Sequence, residues 1–236
     1  MAIHILATGT SRGIGRAIID RFGEDDVRVI GHRSTDGDDS TIAADLTDPG
    51  APRRIWDQAL SLLDGRIDVL INNAGIFEAA SIDAPDISWS DAWARTMQVN
   101  LTASAELCRL AVLHFRRHGG GRIVNIASRA AYRGDSPAHW HYAASKGGMV
   151  AMTKTIARGY ASEDILAFAV CPGFTMTGMA DDYLASRGGD NLLADIPLGR
   201  VAMPDEVAEL VHFLSLSAPP SMTGAVLDIN GASYVR

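Results

Sequence analysis

Short runs of apolar residues alternate with helical periodicity along the whole chain. The apolar runs predict buried strands at residues 3–7, 27–31, 41–44, 67–71, 122–127 and 165–170, with a last strand between 223 and 231. Helical spacing recurs after residue 13, over residues 55–63 and 88–118, around residues 138–157 and from Pro204 onward. This alternation predicts an α/β fold of the doubly wound Rossmann type, with a mostly parallel seven-stranded sheet and helices on both faces.

Length and composition favour a single domain over residues 1–236. The hydrophobic content of 47% can fill a large core, and no proline- or serine-rich linker, charge run or internal repeat divides the chain. Residues 174–196 form a long segment with several charges and the pair Gly188-Gly189. We interpret that segment as a lid over the substrate.

Charge and cysteine content narrow the class of partner. A formal net charge of −7 disfavours nucleic acid or an anionic membrane as the main partner, and it favours a small molecule. The two cysteines are too few for a disulfide framework, and no apolar run reaches the ~20 residues needed to cross a bilayer. We therefore expect a soluble cytoplasmic protein. His139 and His141 lack nearby carboxylates or thiols, so no metal site is predicted.

The turn after the first predicted strand is rich in glycine and runs into a helical pattern. It reads Thr-Gly-Thr-Ser-Arg-Gly-Ile-Gly over residues 8–15. Glycines allow close approach of a pyrophosphate, and the following helix offers unpaired N–H groups, although an ordinary turn is the alternative. The glycine spacing resembles the Thr-Gly-x-x-x-Gly-x-Gly turn of the short-chain dehydrogenase/reductase family. The candidate cofactor contacts here are Gly9, Ser11, Arg12, Gly13, Ile14 and Gly15.

The end of the second strand bears on which dinucleotide binds. His32 and Arg33 stand there in place of an acidic residue, and Arg12 can reach the same ribose. Basic side chains suit a 2′-phosphate, so NADP(H) is favoured. Nearby acidic residues at positions 36, 38 and 39 keep NAD(H) open as the alternative. Residues 32–40 leave little room for a crossover helix before the next strand, so the helix that the family has there is expected to be missing.

Further strand ends extend the resemblance over essentially the full length. Asp45 and Leu46 follow the third strand, where the family recognises adenine, although Asp45 is equally compatible with a turn or cap. Residues 72–75 read Asn-Asn-Ala-Gly, which matches a family motif in full. By the same resemblance, the remaining cofactor contacts are Asn72, Ala74, Gly75, Pro172, Gly173, Thr175 and Thr177.

Tyr142 and Lys146 are spaced to lie one turn apart on a helix. An ammonium beside a phenol favours the phenolate, which makes Tyr142 a candidate general acid/base. Such spacing also arises by chance, but Ser128 at the preceding strand end matches the family's substrate-binding serine. Asn100 matches its catalytic-site asparagine, which lies at a local helix irregularity. The loop from Ser128 to Tyr142 is one residue longer than the commonest family spacing.

The resemblance implies an oxidoreductase that transfers a hydride between NADP(H) and a carbonyl or secondary alcohol. Tyr142 would donate the proton, Ser128 would stabilise the oxyanion, Lys146 would lower the pKa of Tyr142 and bind the ribose, and Asn100 would hold a water. An NAD-dependent alcohol or polyol dehydrogenase and a non-catalytic dinucleotide sensor are the alternatives. The family also implies a homo-oligomer, a dimer or a homotetramer. No residue of the chain selects among carbonyl substrates.

Overall fold

One parallel sheet runs through the centre of the molecule. The structure is a computed structural model that describes residues 2–23, 26–35, 40–177 and 193–236. Its strands are β1 (Ile3–Ala7), β2 (Val27–Arg33), β3 (Thr41–Ala43), β4 (Val69–Asn72), β5 (Gly121–Ile126), β6 (Ile165–Pro172) and β7 (Val226–Ile229). They lie in the order β3-β2-β1-β4-β5-β6-β7, and every pairing is parallel. The predicted doubly wound, seven-stranded sheet is confirmed.

Helices cover both faces of this sheet. They are α1 (Gly13–Phe22), α2 (Ala51–Leu62), α3 (Asp86–Met97), α4 (Ala103–His118), α5 (Ala130–Arg133), α6 (Trp140–Tyr160) and α7 (Pro204–Leu216). Successive strand residues point to opposite faces. Ile5 packs in a cluster with residues of α1 and α7, whereas Leu6 packs in a cluster with residues of α2 and α4. The sheet is therefore buried on both sides, as the continuous apolar runs predict.

Two strand boundaries differ from the predicted ones. β2 continues to Arg33, two residues beyond its predicted end, because His32 and Arg33 pair with β3. β4 begins at Val69, two residues after its predicted start, and the carboxylate of Asp68 just before it accepts the backbone N–H of His4 at 2.9 Å. Between β2 and β3 only residues 34–40 remain, which is shorter than a usual parallel crossover. Residues 36–39 of that connection lie outside the described part of the chain.

The long helical region predicted over residues 88–118 is interrupted at its centre. A π-helical segment, Gln98–Thr102, joins α3 to α4 and contains Asn100, whose side chain is fully buried. Single π-turns inside helices are frequent at functional sites. The irregularity expected at this position is therefore present.

The predicted lid over residues 174–196 falls mainly on positions 178–192, which lie outside the described residues. Its two described ends contact each other through an apolar cluster of Phe174, Met176, Leu193, Ile196 and Val201. In the part of the chain that the structure describes, no helix has the length and apolar character to cross a membrane.

Candidate active site

The glycine turn lies at the carboxyl end of β1, in the middle of the sheet. Gly9 and Gly13 have φ angles of +69° and +54°, in the left-handed region that favours glycine. A Cβ atom at Gly15 would lie 2.0 Å from the carbonyl oxygen of Gly9. Only glycine fits there, and the turn is closed tightly onto the start of α1. The first turn of α1, which follows directly, offers backbone N–H groups to a phosphate, so these residues fit a dinucleotide.

Asn73 holds this turn against the end of β4. Its Nδ2 donates to the carbonyl oxygens of Thr8 at 3.0 Å and Gly9 at 2.8 Å. In return, the Thr8 hydroxyl accepts the backbone N–H groups of Asn73 at 3.0 Å and Ala74 at 3.1 Å. The strand ends are thus joined by four hydrogen bonds. The sequence-based site omitted Asn73, although the full motif at residues 72–75 was the signal that could have found it.

The neighbouring Asn72 has a different environment. Its side chain is buried, and Nδ2 donates to Oδ1 of Asn125 at 2.9 Å and to the sulfur of Cys108 at 3.2 Å. Asn125 in turn donates to the Thr153 hydroxyl at 2.8 Å. The Asn72 side chain therefore ties β4 to β5 and α4 within the core. Its role as a cofactor contact stays a prediction.

The His32 side chain hydrogen-bonds the glycine turn. Its Nε2 donates to the carbonyl oxygen of Ala44 at 2.9 Å, and its Nδ1 accepts the Gly9 N–H at 3.4 Å. This pattern requires the neutral imidazole, and burial lowers the pKa of His32 accordingly. Arg33 donates to the Thr41 hydroxyl at 2.7 Å and 3.1 Å. Arg12 is exposed at the start of α1.

Asp45 forms a turn at the end of β3. Its Oδ1 accepts the backbone N–H of Thr47 at 2.9 Å, which is the turn role left open from the sequence. The following residue, Leu46, is buried in the core. Whether either residue contacts adenine stays a prediction.

The end of β6 approaches the glycine turn. A Cβ atom at Gly13 would lie 2.8 Å from the Cγ2 atom of Thr177, so these two predicted cofactor contacts are neighbours in space. Gly173 packs closely against Asn230, and Thr175 donates to the Gly173 carbonyl oxygen at 3.3 Å. The fold therefore brings residues from the first and the sixth strand to one crevice.

Tyr142 and Lys146 lie one turn apart on α6, beside the end of β5. Lys146 Nζ donates to the Ile126 carbonyl oxygen at 2.8 Å and lies 5.8 Å from the centre of the Tyr142 ring. The Ser128 hydroxyl lies close enough to the Tyr142 phenol to lower the pKa of Tyr142. Because Ser128 Oγ accepts the Ala130 N–H at 3.1 Å, its own hydrogen remains available for an oxygen of the site. Three of the four predicted catalytic side chains therefore come together.

Asn100 is adjacent to this group, and its side chain hydrogen-bonds the backbone of Ile76. Its Oδ1 accepts the Ile76 N–H at 2.8 Å, and its Nδ2 donates to the Ile76 carbonyl oxygen at 2.9 Å. A Cβ atom at Gly75 would lie 3.4 Å from the Asn100 amide oxygen and 3.5 Å from Lys146 Nζ. Asn100 thus fixes the chain after the Asn-Asn-Ala-Gly motif. The water-holding role expected for Asn100 stays a prediction.

Burial controls the protonation of the pair on α6. It raises the pKa of Tyr142 to about 12, against a smaller lowering by Ser128. It also lowers the pKa of Lys146 to about 8. The expected lowering of the Tyr142 pKa by Lys146 is not found in this structure, because desolvation disfavours both charged forms. Tyr142 is therefore a protonated phenol at neutral pH.

Two aromatic residues that the sequence did not assign to the site stand beside the phenol. Phe77 contacts Tyr142 edge to face, with ring centres 4.8 Å apart, and it stacks on His139 at 3.9 Å. His139 in turn faces the buried His141, with ring centres 6.3 Å apart. Among the described residues, no group of three or more side chains is arranged to hold a metal ion.

Parallel strands that present a glycine turn beside a phenol, an ammonium and a hydroxyl define a dinucleotide-dependent oxidoreductase. Comparison with known proteins agrees. A family model described as enoyl-(acyl carrier protein) reductase matches residues 9–232. The chain belongs to the short-chain dehydrogenase/reductase family, whose members use a nicotinamide dinucleotide, and it is a nicotinamide-dependent oxidoreductase.

Similar curated proteins include several 3-oxoacyl-(acyl-carrier-protein) reductases. The one from Thermotoga maritima is 33% identical over 246 residues, which cover 98% of this chain and 97% of the relative. Those from Vibrio cholerae and Escherichia coli are 32% and 30% identical, and each alignment covers 98% of this chain and 96% of the relative. The similarity therefore extends over the whole described fold.

Proposed function

We propose that this chain is an NADP(H)-preferring oxidoreductase that interconverts a carbonyl compound and a secondary alcohol, with Tyr142 as acid/base. The observation that carries the proposal is the grouping of Tyr142, Ser128 and Lys146 at the end of β5, beside the crevice formed by the glycine turn. A buried, protonated phenol next to a hydroxyl donor suits proton transfer to an oxygen.

A nicotinamide, when bound, would supply a hydride to the carbonyl carbon in reduction and would accept one from the alcohol carbon in oxidation. In reduction, the Tyr142 O–H bond breaks as its proton moves to the carbonyl oxygen. Ser128 donates a second hydrogen bond to that oxygen as negative charge develops on it. Lys146, held by the Ile126 carbonyl oxygen, would bind the nicotinamide ribose through its ammonium group.

The compact glycine turn supports dinucleotide binding at the carboxyl end of β1. At Gly9, Gly13 and Gly15 a Cβ atom would collide with neighbouring protein atoms, so glycine is needed to keep the turn this compact. The side chains proposed to contact the cofactor on either side are Ser11, Arg12 and Thr177. Pro172 and Thr175 complete the proposed set at the end of β6.

The preference for NADP(H) rests on Arg12 and Arg33. Both stand at strand and helix ends that meet at the dinucleotide crevice, and guanidinium groups bind phosphate bidentately. Dissociation constants of NADPH and NADH, measured by calorimetry, test this preference. We expect Arg12→Ala and Arg33→Ala to weaken NADPH binding and to leave NADH binding unchanged. Tighter binding of NADH than of NADPH by the wild-type chain would instead favour the NAD-dependent alcohol or polyol dehydrogenase.

Tyr142→Phe tests the acid/base assignment directly. The variant should lose about 10²- to 10⁴-fold in kcat/KM for carbonyl reduction, because it keeps the ring and removes the transferable proton. Tyr160→Phe, at the far end of α6, is the matched control and should retain activity. If Tyr142→Phe keeps wild-type kcat/KM, the proposed mechanism is wrong. Cofactor binding without turnover on a broad carbonyl panel would favour the dinucleotide sensor.

Because similar proteins are named 3-oxoacyl-(acyl-carrier-protein) reductases, 3-oxoacyl thioesters are the first compounds to test in the carbonyl panel.

We further propose that the chain forms a homo-oligomer, a dimer or a tetramer. Light scattering coupled to size-exclusion chromatography measures this, and a monomer at all concentrations would contradict it.

A further inference from the structure

Phe77 and His139 form a stacked pair at the Tyr142 phenol, which we call the aromatic wall. Their ring centres are 3.9 Å apart and their planes differ by only 2°. Phe77 also meets the Tyr142 ring at 83° with a centre separation of 4.8 Å. Even with these two contacts, Phe77 remains 38% exposed. An apolar ring surface is therefore left open next to the proton donor.

The aromatic wall is held in place before any substrate binds. Phe77 follows Ile76, whose N–H and C=O are both bonded by the Asn100 side chain. On the other side, the His139 Nδ1 and the Ser136 hydroxyl are hydrogen-bonded at 2.7 Å. A backbone bond from Ala80 N–H to the Ala138 carbonyl oxygen, at 2.8 Å, joins the two loops that carry the wall. Rigid positioning of this kind reduces the entropy lost on binding.

The wall is uncharged near neutral pH. Burial is the largest influence on His139 and lowers its pKa, against a smaller opposite effect of Asp135. The imidazole therefore presents a neutral ring to Phe77, and the pair offers no cation for a substrate carboxylate. Aromatic surfaces of this type recognise flat apolar groups by stacking and edge contacts.

From this geometry we infer that Phe77 and His139 are specificity-determining residues that select carbonyl compounds with an aryl or conjugated group next to the carbonyl carbon. The inference rests on the proposed function, because Phe77 contacts the ring of the tyrosine that would donate the proton to the carbonyl oxygen. A saturated group of the same size fills the same space but loses the ring–ring contact. Selection should therefore appear as a ratio between matched substrates.

The test compares kcat/KM for acetophenone and cyclohexyl methyl ketone, each reduced with NADPH. The wild-type chain should prefer acetophenone. In Phe77→Leu the ratio of the two kcat/KM values should fall about three- to tenfold, as expected from the loss of an aromatic pair. Phe213→Leu is the matched control, since Phe213 lies on α7 with an almost equal exposure of 39%. Its ratio should stay at the wild-type value.

A second variant, at His139, tests the same inference independently in case Phe77→Leu does not fold. His139→Asn keeps a polar atom near the Ser136 hydroxyl but removes the ring, so it should lower the ratio in the same direction. A general disturbance of Tyr142 would reduce both kcat/KM values together and leave their ratio unchanged. An unchanged ratio in both variants, or wild-type turnover of other carbonyls but of neither test ketone, overturns this inference alone. Absence of turnover with every carbonyl overturns the proposed function and this inference with it.

Discussion

Replacement of Asn73 by alanine tests whether this residue holds the glycine turn in the shape that binds the dinucleotide. The neighbouring Asn72 supports the core instead. Asn73→Ala removes the hydrogen bonds from Nδ2 to the carbonyl oxygens of Thr8 and Gly9. Each such bond has a net worth of about 0.5–1.5 kcal/mol, so together they hold the turn with about 1–3 kcal/mol. If binding requires the ordered turn, the affinity for NADPH should fall by about 5- to 150-fold.

Isothermal titration calorimetry with NADPH measures this loss, and the neighbouring residue provides the control. Asn72→Ala deletes a side chain that bonds Asn125 and Cys108 in the core. It should lower the melting temperature, while its effect on NADPH affinity stays below that of Asn73→Ala. The reasoning is refuted if Asn72→Ala weakens NADPH binding more than Asn73→Ala does.

Three further predictions concern the turn, stability and catalysis. Gly15→Ala should reduce NADPH affinity more than tenfold, because its Cβ atom would lie 2.0 Å from the Gly9 carbonyl oxygen. Gly159→Ala is the control in calorimetry, since position 159 has open space around it. Equal NADPH affinities of the two variants would contradict the prediction. Burial lowers the pKa of His114 to about 4, so between there and the unfolded value of about 6.5 the unfolded chain binds more protons and stability rises with pH. His114→Gln should make the free energy of unfolding rise less steeply with pH, by the slope that corresponds to at most one bound proton, in urea titrations from pH 4 to 7. An unchanged slope would argue against His114 as the origin of the rise. Since the pKa of Lys146 is about 8, kcat/KM for reduction should fall as pH rises through that value, and a pH–rate profile that is flat to pH 10 would show that the Lys146 charge is not required.

Local order along the chain was enough to predict much of the site. The Tyr142–Lys146 pair follows from helical periodicity, which places residues four apart on one face. The glycine turn was predicted from its position between an apolar strand and a helical pattern, and both elements are present as expected. The placement of Ser128 followed from the end of a buried strand and the resemblance. These features depend on residues close together in the sequence.

Other features depend on which residues meet across the fold. The sequence alone did not distinguish the two asparagines of the motif, because only the pleat of β4 turns Asn72 into the core and leaves Asn73 on the turn. The role of His32 as a cofactor contact stays a prediction, but the sequence did not show that its imidazole bonds Gly9 and Ala44 or that β2 extends two residues further to pair with β3. Tertiary packing alone decided both environments.

The chain by itself thus determined the order of strands and helices and the pattern of its motifs, since periodicity and turn chemistry act over a few residues. Only the tertiary structure brought Phe77 against His139, two residues far apart in sequence. It also decided that burial, rather than the charge of Lys146, controls the pKa of Tyr142. Desolvation and ring packing depend on all surrounding atoms, and those neighbours are set by long-range contacts that no local pattern contains.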